Sequence, residues 1–197
     1  MSQPSRRLIV GISGASGVIY GIRLLDVLRH AAGIETHLVM TSAARQTVLF
    51  ETDYTVEAVE TLAAVHYRIG DISAAISSGS FKTMGMAVIP CSMKTLSGIA
   101  LSFSDNLLLR AADVTLKERR RLVLVPRESP LHLGHLRTMT QLVEMGAILV
   151  PPMPAFYHRP QTLDDIINQT VNRVLDLLDV ELPADLFERW SGPRPAK

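Results

Sequence analysis

Five short, almost purely apolar runs punctuate this chain, at residues 8–12, 37–40, 86–89, 122–125 and 147–150. Each is rich in Val, Ile or Leu and is bounded by polar, Gly or Pro residues. Runs of this length without polar alternation fit strands covered on both faces, as in a parallel sheet under helices. The segments between them have helical period. In 18–31, Ile22, Leu25 and Leu28 mark one apolar face at three-residue steps. Further helices are expected near 56–65, 95–102, 107–119, 133–145 and 163–178, and a short helical segment after strand 2 carries Glu51.

Strands alternating with helices predict an α/β doubly wound parallel sheet in three layers, α/β/α. Five strands suggest the flavodoxin-like (Rossmann-like) order 2-1-3-4-5, with a topological switch between strands 1 and 3. With 197 residues and no repeat or linker, the whole chain, 1–197, reads as one domain. After about residue 179 it turns Pro-rich, and 180–197 is expected to be an exposed tail or an arm onto a neighbouring subunit.

Composition excludes several classes. A net charge of +1 proposes neither nucleic acid nor an acidic membrane surface as partner. The single cysteine, Cys91, allows no internal disulfide and no multi-cysteine zinc site. The apolar run after Arg6 and Arg7 is too short for a signal peptide, and no run reaches membrane-spanning length. A cytoplasmic location follows as the expectation.

Strand 1 breaks into "GISGASGVIYG", 11–21. The glycines stand as Gly11-x-x-Gly14-x-x-Gly17, not G-x-G-x-x-G, and strand 2 ends in Met40-Thr41-Ser42 with no carboxylate for a ribose. A dinucleotide is therefore not expected. A Ser/Gly turn opening onto a helix N-terminus suits a phosphate, although Ser16 as an ordinary cap would explain it too. Strand 3 ends in Pro90-Cys91-Ser92-Met93-Lys94-Thr95, again hydroxyl-rich and again opening a helix. Two such loops at one switch crevice point to a mononucleotide; two unrelated caps are the plainer alternative. Cys91, without a defined base, reads as a packed thiol.

Strand 4 runs into Pro126-Arg127-Glu128-Ser129-Pro130, where Arg127 could hold a phosphate and Glu128 could move protons. "PPMPAFYHRP", 151–160, is stiff and aromatic, and Tyr157 offers a phenol beside an apolar wall. Arg173 on the next helix and "LKERRR", 116–121, read alone as solvated charge. Asp164 and Asp165 fit N-terminal capping better than magnesium binding. His132 and His135 supply too few ligands for a metal, and none is expected.

The ordered set "GISGASGVIYG", "PCSMKTLSGIA", "RAADVTLKERR", "LVLVPRESPL", "PAFYHRP" and "VNRVLDLL" resembles the UbiX-type flavin prenyltransferases over nearly the whole chain. The resemblance implies transfer of a dimethylallyl group from dimethylallyl monophosphate to N5 and C6 of reduced FMN, without a metal. The product, prenylated FMN, would serve a separate UbiD-type decarboxylase, in quinone biosynthesis or in aromatic acid decarboxylation. It further implies that Gly14, Ala15, Ser16, Thr41, Ser92, Met93, Lys94, Thr95 and Arg127 contact FMN. Tyr157 and Arg173 would hold the allylic phosphate, with Lys117 and Arg110 contributing from an adjoining subunit. Glu51 and Glu128 would manage protons, Ser16 would place the reacting flavin edge, and Trp190 would belong to a closing element. A homododecamer is expected. Met93-Lys94 replaces the small residues of many relatives, which leaves the side-chain contacts of that pair open. The alternatives are an FMN-binding carrier subunit of a decarboxylase system, or an FMN-dependent decarboxylase. Against the cysteine-decarboxylating kind, 151–157 reads "PPMPAFY" and lacks the Asn and Trp of its P-x-M-N-x-x-M-W motif.

Overall fold

The computed structural model describes residues 6–192. Six parallel strands form one sheet: β1 (Arg6–Ile12), β2 (Ile34–Met40), β3 (Val65–Tyr67), β4 (Gly85–Cys91), β5 (Arg121–Pro126) and β6 (Ile148–Leu149). Their order is β3-β2-β1-β4-β5-β6. The expected five-strand order survives inside this one, and β3 adds an edge beside β2. Three residues with an exposed His66 in the middle make no apolar run, so the reading of five strands missed it.

Seven helices complete the layers: α1 (Val18–Arg29), α2 (Ser42–Glu51), α3 (Val56–Glu60), α4 (Met93–Ala100), α5 (Leu107–Lys117), α6 (Leu133–Glu144) and α7 (Leu163–Leu177). Side chains alternate across a strand, so each central strand feeds two cores. Leu8, Val10 and Ile12 of β1, Ala87 and Ile89 of β4, and Val123 and Val125 of β5 pack with α1, α2, α3 and α7. Ile9, Met86, Val88, Leu122 and Leu124 face the other way, onto α4, α5 and α6. This two-sided burial is the physical content of the continuous apolar runs, and it makes the fold a flavodoxin-like three-layer α/β/α sandwich.

The sheet reverses direction of growth at β1. From there the chain lays down β2 and β3 on one side, then crosses to β4 on the other. The carboxyl-end loops of β1 and β4 therefore flank the crevice that such a switch creates.

The described part of the C-terminal segment, 180–192, lies on its own α7. Leu182 and Leu186 pack against the core, and Asn172, buried on α7, accepts the Leu186 N–H at 2.8 Å. Among the described residues, no helix is long and apolar enough to cross a membrane.

Candidate functional site at the sheet's carboxyl edge

The loops after β1 and β4 are laced together by one buried side chain. Ser13 Oγ donates to the Pro90 carbonyl at 3.0 Å and accepts the Ser92 N–H at 2.7 Å, while the Ser13 N–H meets the same carbonyl at 3.1 Å. Gly14 presses on α2: a Cβ there would stand 2.3 Å from the Ala43 Cβ. The loop after β5 joins through the Arg127 N–H, which donates to the Cys91 carbonyl at 3.2 Å. Three loops thus form one rigid floor.

Helix N-termini around this floor are finished differently. Thr41 caps α2 through the Ala44 N–H, and Ser92 caps α4 through the Thr95 N–H. The N-cap of α1 is Gly17, left-handed at φ 98°, with no side-chain cap. Ser16 is therefore not the ordinary cap of this helix, and its hydroxyl has no partner among the described residues. First-turn N–H groups of an uncapped helix, with the dipole behind them, form an anion site. One of the donors there is taken: Glu51, the last residue of α2, accepts the Gly17 N–H at 2.8 Å.

The candidates for FMN contact gather on this floor. Gly14, Ala15, Ser16, Thr41, Ser92 and Met93 are half-buried, and Lys94 and Arg127 are exposed. Thr95 is buried, and its hydroxyl accepts from Ser92 Oγ at 3.1 Å, so it shapes Ser92 from behind. Glu128 is exposed at the rim and takes the Ser129 N–H at 3.0 Å. Burial pushes the Cys91 thiol far up, in keeping with a packed, inert side chain.

A second cluster is built by the C-terminal segment. Tyr157 meets Trp190 and Phe187 edge-on, with ring centres 6.0 and 6.3 Å apart. Arg173 Nη1 donates to Asp176 Oδ2 at 2.8 Å, and Arg189 binds the same carboxylate. Arg173 lies near the C-terminal end of α7. That end leads to Asp179, which pairs with Arg121 at the start of β5 and receives Arg6, at the start of β1, on its carbonyl. Its arginine end therefore leans toward the sheet's amino edge, while Tyr157 lies in the connection from β6 to the N-terminus of α7.

The remaining two candidates sit on α5. Arg110 donates to Asp113 at 2.9 Å and to the Ser77 carbonyl at 3.1 Å. Lys117 ends the helix beside Glu118, where the chain turns into β5. One chain does not bring Lys117 or Arg173 to the crevice.

Elsewhere, Thr162 and Asp165 form a reciprocal capping box on α7, which explains the acidic pair 164–165. His132 caps α6 through the Gly134 N–H. Among the described residues, no three His, Cys, Asp or Glu side chains gather as metal ligands. Sequence reasoning missed Ser13, Asp176 and Arg189. Ser13 carried a signal, a hydroxyl inside the quoted loop; the other two carried none.

Comparison with known proteins identifies the family and the fold. A family model described as Flavoprotein matches residues 1–178. The chain is 66% identical over 187 residues to the flavin prenyltransferase UbiX of Escherichia coli K12, covering 95% of this chain and 99% of that one. A dodecameric FMN-dependent UbiX-like decarboxylase from Escherichia coli O157:H7 superposes with a TM-score of 0.91 at 52% identity, over 94% of this chain and 100% of that one. AnUbiX (PadA1), solved with FMN and dimethylallyl pyrophosphate, gives 0.91 at 49% identity, over 96% and 99%.

Proposed function

The chain belongs to the UbiX flavin prenyltransferases, and from that premise we propose that it moves a dimethylallyl group from dimethylallyl monophosphate to N5 and C6 of reduced FMN. The observation that carries this reading is the Glu51 carboxylate at the mouth of the loop after β1, held on the Gly17 N–H beside the unpaired Ser16 hydroxyl. A simple FMN carrier has no use for a carboxylate fixed at the edge of its own anion site.

The cradle fits a flavin mononucleotide. An uncapped helix N-terminus, a glycine pressed onto its neighbouring helix, the Ser16 and Ser92 hydroxyls and the exposed Lys94 and Arg127 supply hydrogen-bond donors and two positive charges around a concave floor. Gly14, Ala15, Ser16, Thr41, Ser92, Met93, Lys94 and Arg127 line it, with Thr95 holding Ser92 in place. Reduced FMN supplies the nucleophilic N5 and C6. The N5 bond forms as the C–O bond to phosphate breaks and N5 gives up its proton. Closure onto C6 consumes the allylic double bond, which takes up a proton while C6 loses one, and Glu51 and Glu128 are the carboxylates we assign to these transfers. Phosphate leaves as an anion, so fixed cations and phenols near it lower the barrier. Tyr157, Arg173, Lys117 and Arg110 are those groups. They need no metal, because a monophosphate carries less charge than a diphosphate; the diphosphate bound in AnUbiX makes the donor's phosphate count a matter for assay.

Lys117 and Arg173 lie away from the crevice of their own chain, which supports sites completed between subunits of a homo-oligomer. The relative described as dodecameric supports the same assembly here. The product, prenylated FMN, passes to a UbiD-type decarboxylase. We place this chemistry in the cytoplasm, which a single buried cysteine suits.

The test is an anaerobic incubation of purified protein with reduced FMN and dimethylallyl monophosphate, followed by mass analysis of the extracted flavin. Gain of one five-carbon unit, dependent on enzyme and both substrates, is expected. Unmodified FMN from folded, flavin-loaded protein would overturn the proposal in favour of a carrier or a decarboxylase.

A further inference from the structure

Asp176 is shared by two arginines. Arg173, three residues earlier on α7, reaches Oδ2 through one N–H at 2.8 Å. Arg189, from the C-terminal segment, grips both oxygens, Nη1 to Oδ2 at 2.9 Å and Nη2 to Oδ1 at 2.7 Å. Arg189 uses its other edge on Asp185, with two contacts of 2.6 Å. Both forks of Arg189 are thus filled by carboxylates, and it has no donor pair left for a ligand. Arg173 spends one of five donors.

Carboxylates prefer two-pronged guanidinium pairs. Asp176 has that pair with Arg189, and the hydrogen bonds from Arg189 are the main reason its carboxyl is held below the usual range. Without Arg189, the nearest guanidinium able to take both oxygens is that of Arg173. An incoming phosphate would then have to displace a carboxylate from the arginine it needs.

We infer that Arg189 is a positioning residue for the allylic phosphate: by occupying both oxygens of Asp176, it holds Arg173 to a single N–H contact with that carboxylate and leaves its other four donors for the anion. The inference rests on the proposed role of Arg173 at the donor phosphate. Arg189 acts through Asp176, so its effect belongs in donor binding and not in the chemical step.

The experiment uses the assembled, FMN-loaded protein and measures KM and kcat for dimethylallyl monophosphate. Arg189→Gln is expected to raise KM on the order of tenfold with kcat within about twofold. Adding Asp176→Asn to it removes the competing charge and is expected to return KM to near the wild-type value. If Arg189 merely anchored the segment, the second substitution would not rescue, because it deletes the anchor's other half. Asp176→Asn alone serves where Arg189→Gln fails to assemble. Its segment stays held by the Asn172–Leu186 bond and by Leu182 and Leu186 in the core. A KM no higher than wild type is expected there; a tenfold rise would overturn the inference. Calorimetric binding of dimethylallyl monophosphate to the same variants separates the two readings. Wild-type protein that binds the phosphate but makes no prenylated flavin refutes the proposed reaction and leaves the ranking of variants to judge Arg189. Active wild type with an unchanged Arg189→Gln KM refutes the inference alone.

Discussion

Ser13 has no accessible surface, yet it governs the geometry of the crevice. Its hydroxyl fills the gap between the loops after β1 and β4, and the Ser92 N–H depends on it. The Pro90 carbonyl would keep the Ser13 N–H if the hydroxyl were lost. Ser13→Ala therefore leaves one unpaired donor, and should cost about 1–3 kcal/mol of stability. Denaturant unfolding of flavin-free protein measures it; a loss under about 0.5 kcal/mol, typical of an unremarkable surface change, would contradict the bridge. Glu51 calls for a different experiment, because it is exposed and its contact is to a single N–H. Glu51→Gln keeps the shape and the acceptor oxygen but cannot accept a proton at neutral pH. Turnover should fall about 100-fold or more while FMN loading stays intact, as expected for loss of a general base. Loss of flavin without loss of turnover per bound flavin would instead make Glu51 a binding residue. These two residues also show how far the sequence reached. Glu51 was accessible through resemblance, and Ser13 was visible as a letter in a loop. Its partners, Pro90 and Ser92, are 77 and 79 residues away, a distance only the folded sheet closes.

Among the elements, legibility followed burial. β1, β4 and β5 are covered on both faces, so each writes an apolar run, whereas β3 at the edge writes none. The helix α2 is read only weakly because just Ala44 and Val48 are buried along it. The C-terminal segment was the hardest to place. Its prolines suggest an exposed tail or arm, while the structure ties 180–192 to α7 by polar pairs that leave no periodic trace. Those pairs give the segment a pH dependence. The Asp176 carboxyl is held below its ordinary value of 3.8, chiefly by Arg189. A carboxylate with a depressed folded pKa stabilises above its unfolded value and loses that contribution as pH falls through the folded one. Docking of the segment should therefore be constant through neutral and mildly acidic pH and weaken only below about pH 4. Trp190, the one tryptophan in the chain, packs against Tyr157 and reports it by fluorescence. Loss of that contact already at neutral pH would mean that a group other than the Asp176 carboxylate controls the segment.

At the scale of the whole molecule, the crevice and the Lys117 side chain lie toward different ends of the sheet. Glu51 stands over the carboxyl-edge loops, while Lys117 closes α5 where β5 begins. A large apolar side chain next to Glu51 is left uncovered, Phe50 at 85% exposure, and Leu133, at the start of α6, is 60% exposed. Apolar surface of that kind beside a half-built site is what a subunit junction looks like from one side. If one site takes Glu51 from one copy and Lys117 from another, neither Glu51→Gln nor Lys117→Ala protein can work alone, but their mixture can. Unfolding and reassembling the two inactive variants at equal amounts should leave roughly a quarter of the sites with both groups intact, and activity should return to about that fraction. A double variant mixed with wild type supplies the control, since random exchange there gives the same fraction of intact sites. Were both groups to act within one chain, the first mixture would stay inactive while the second kept about half of its activity. The comparison thus decides whether the enzyme's working unit is the chain or the contact between two of them.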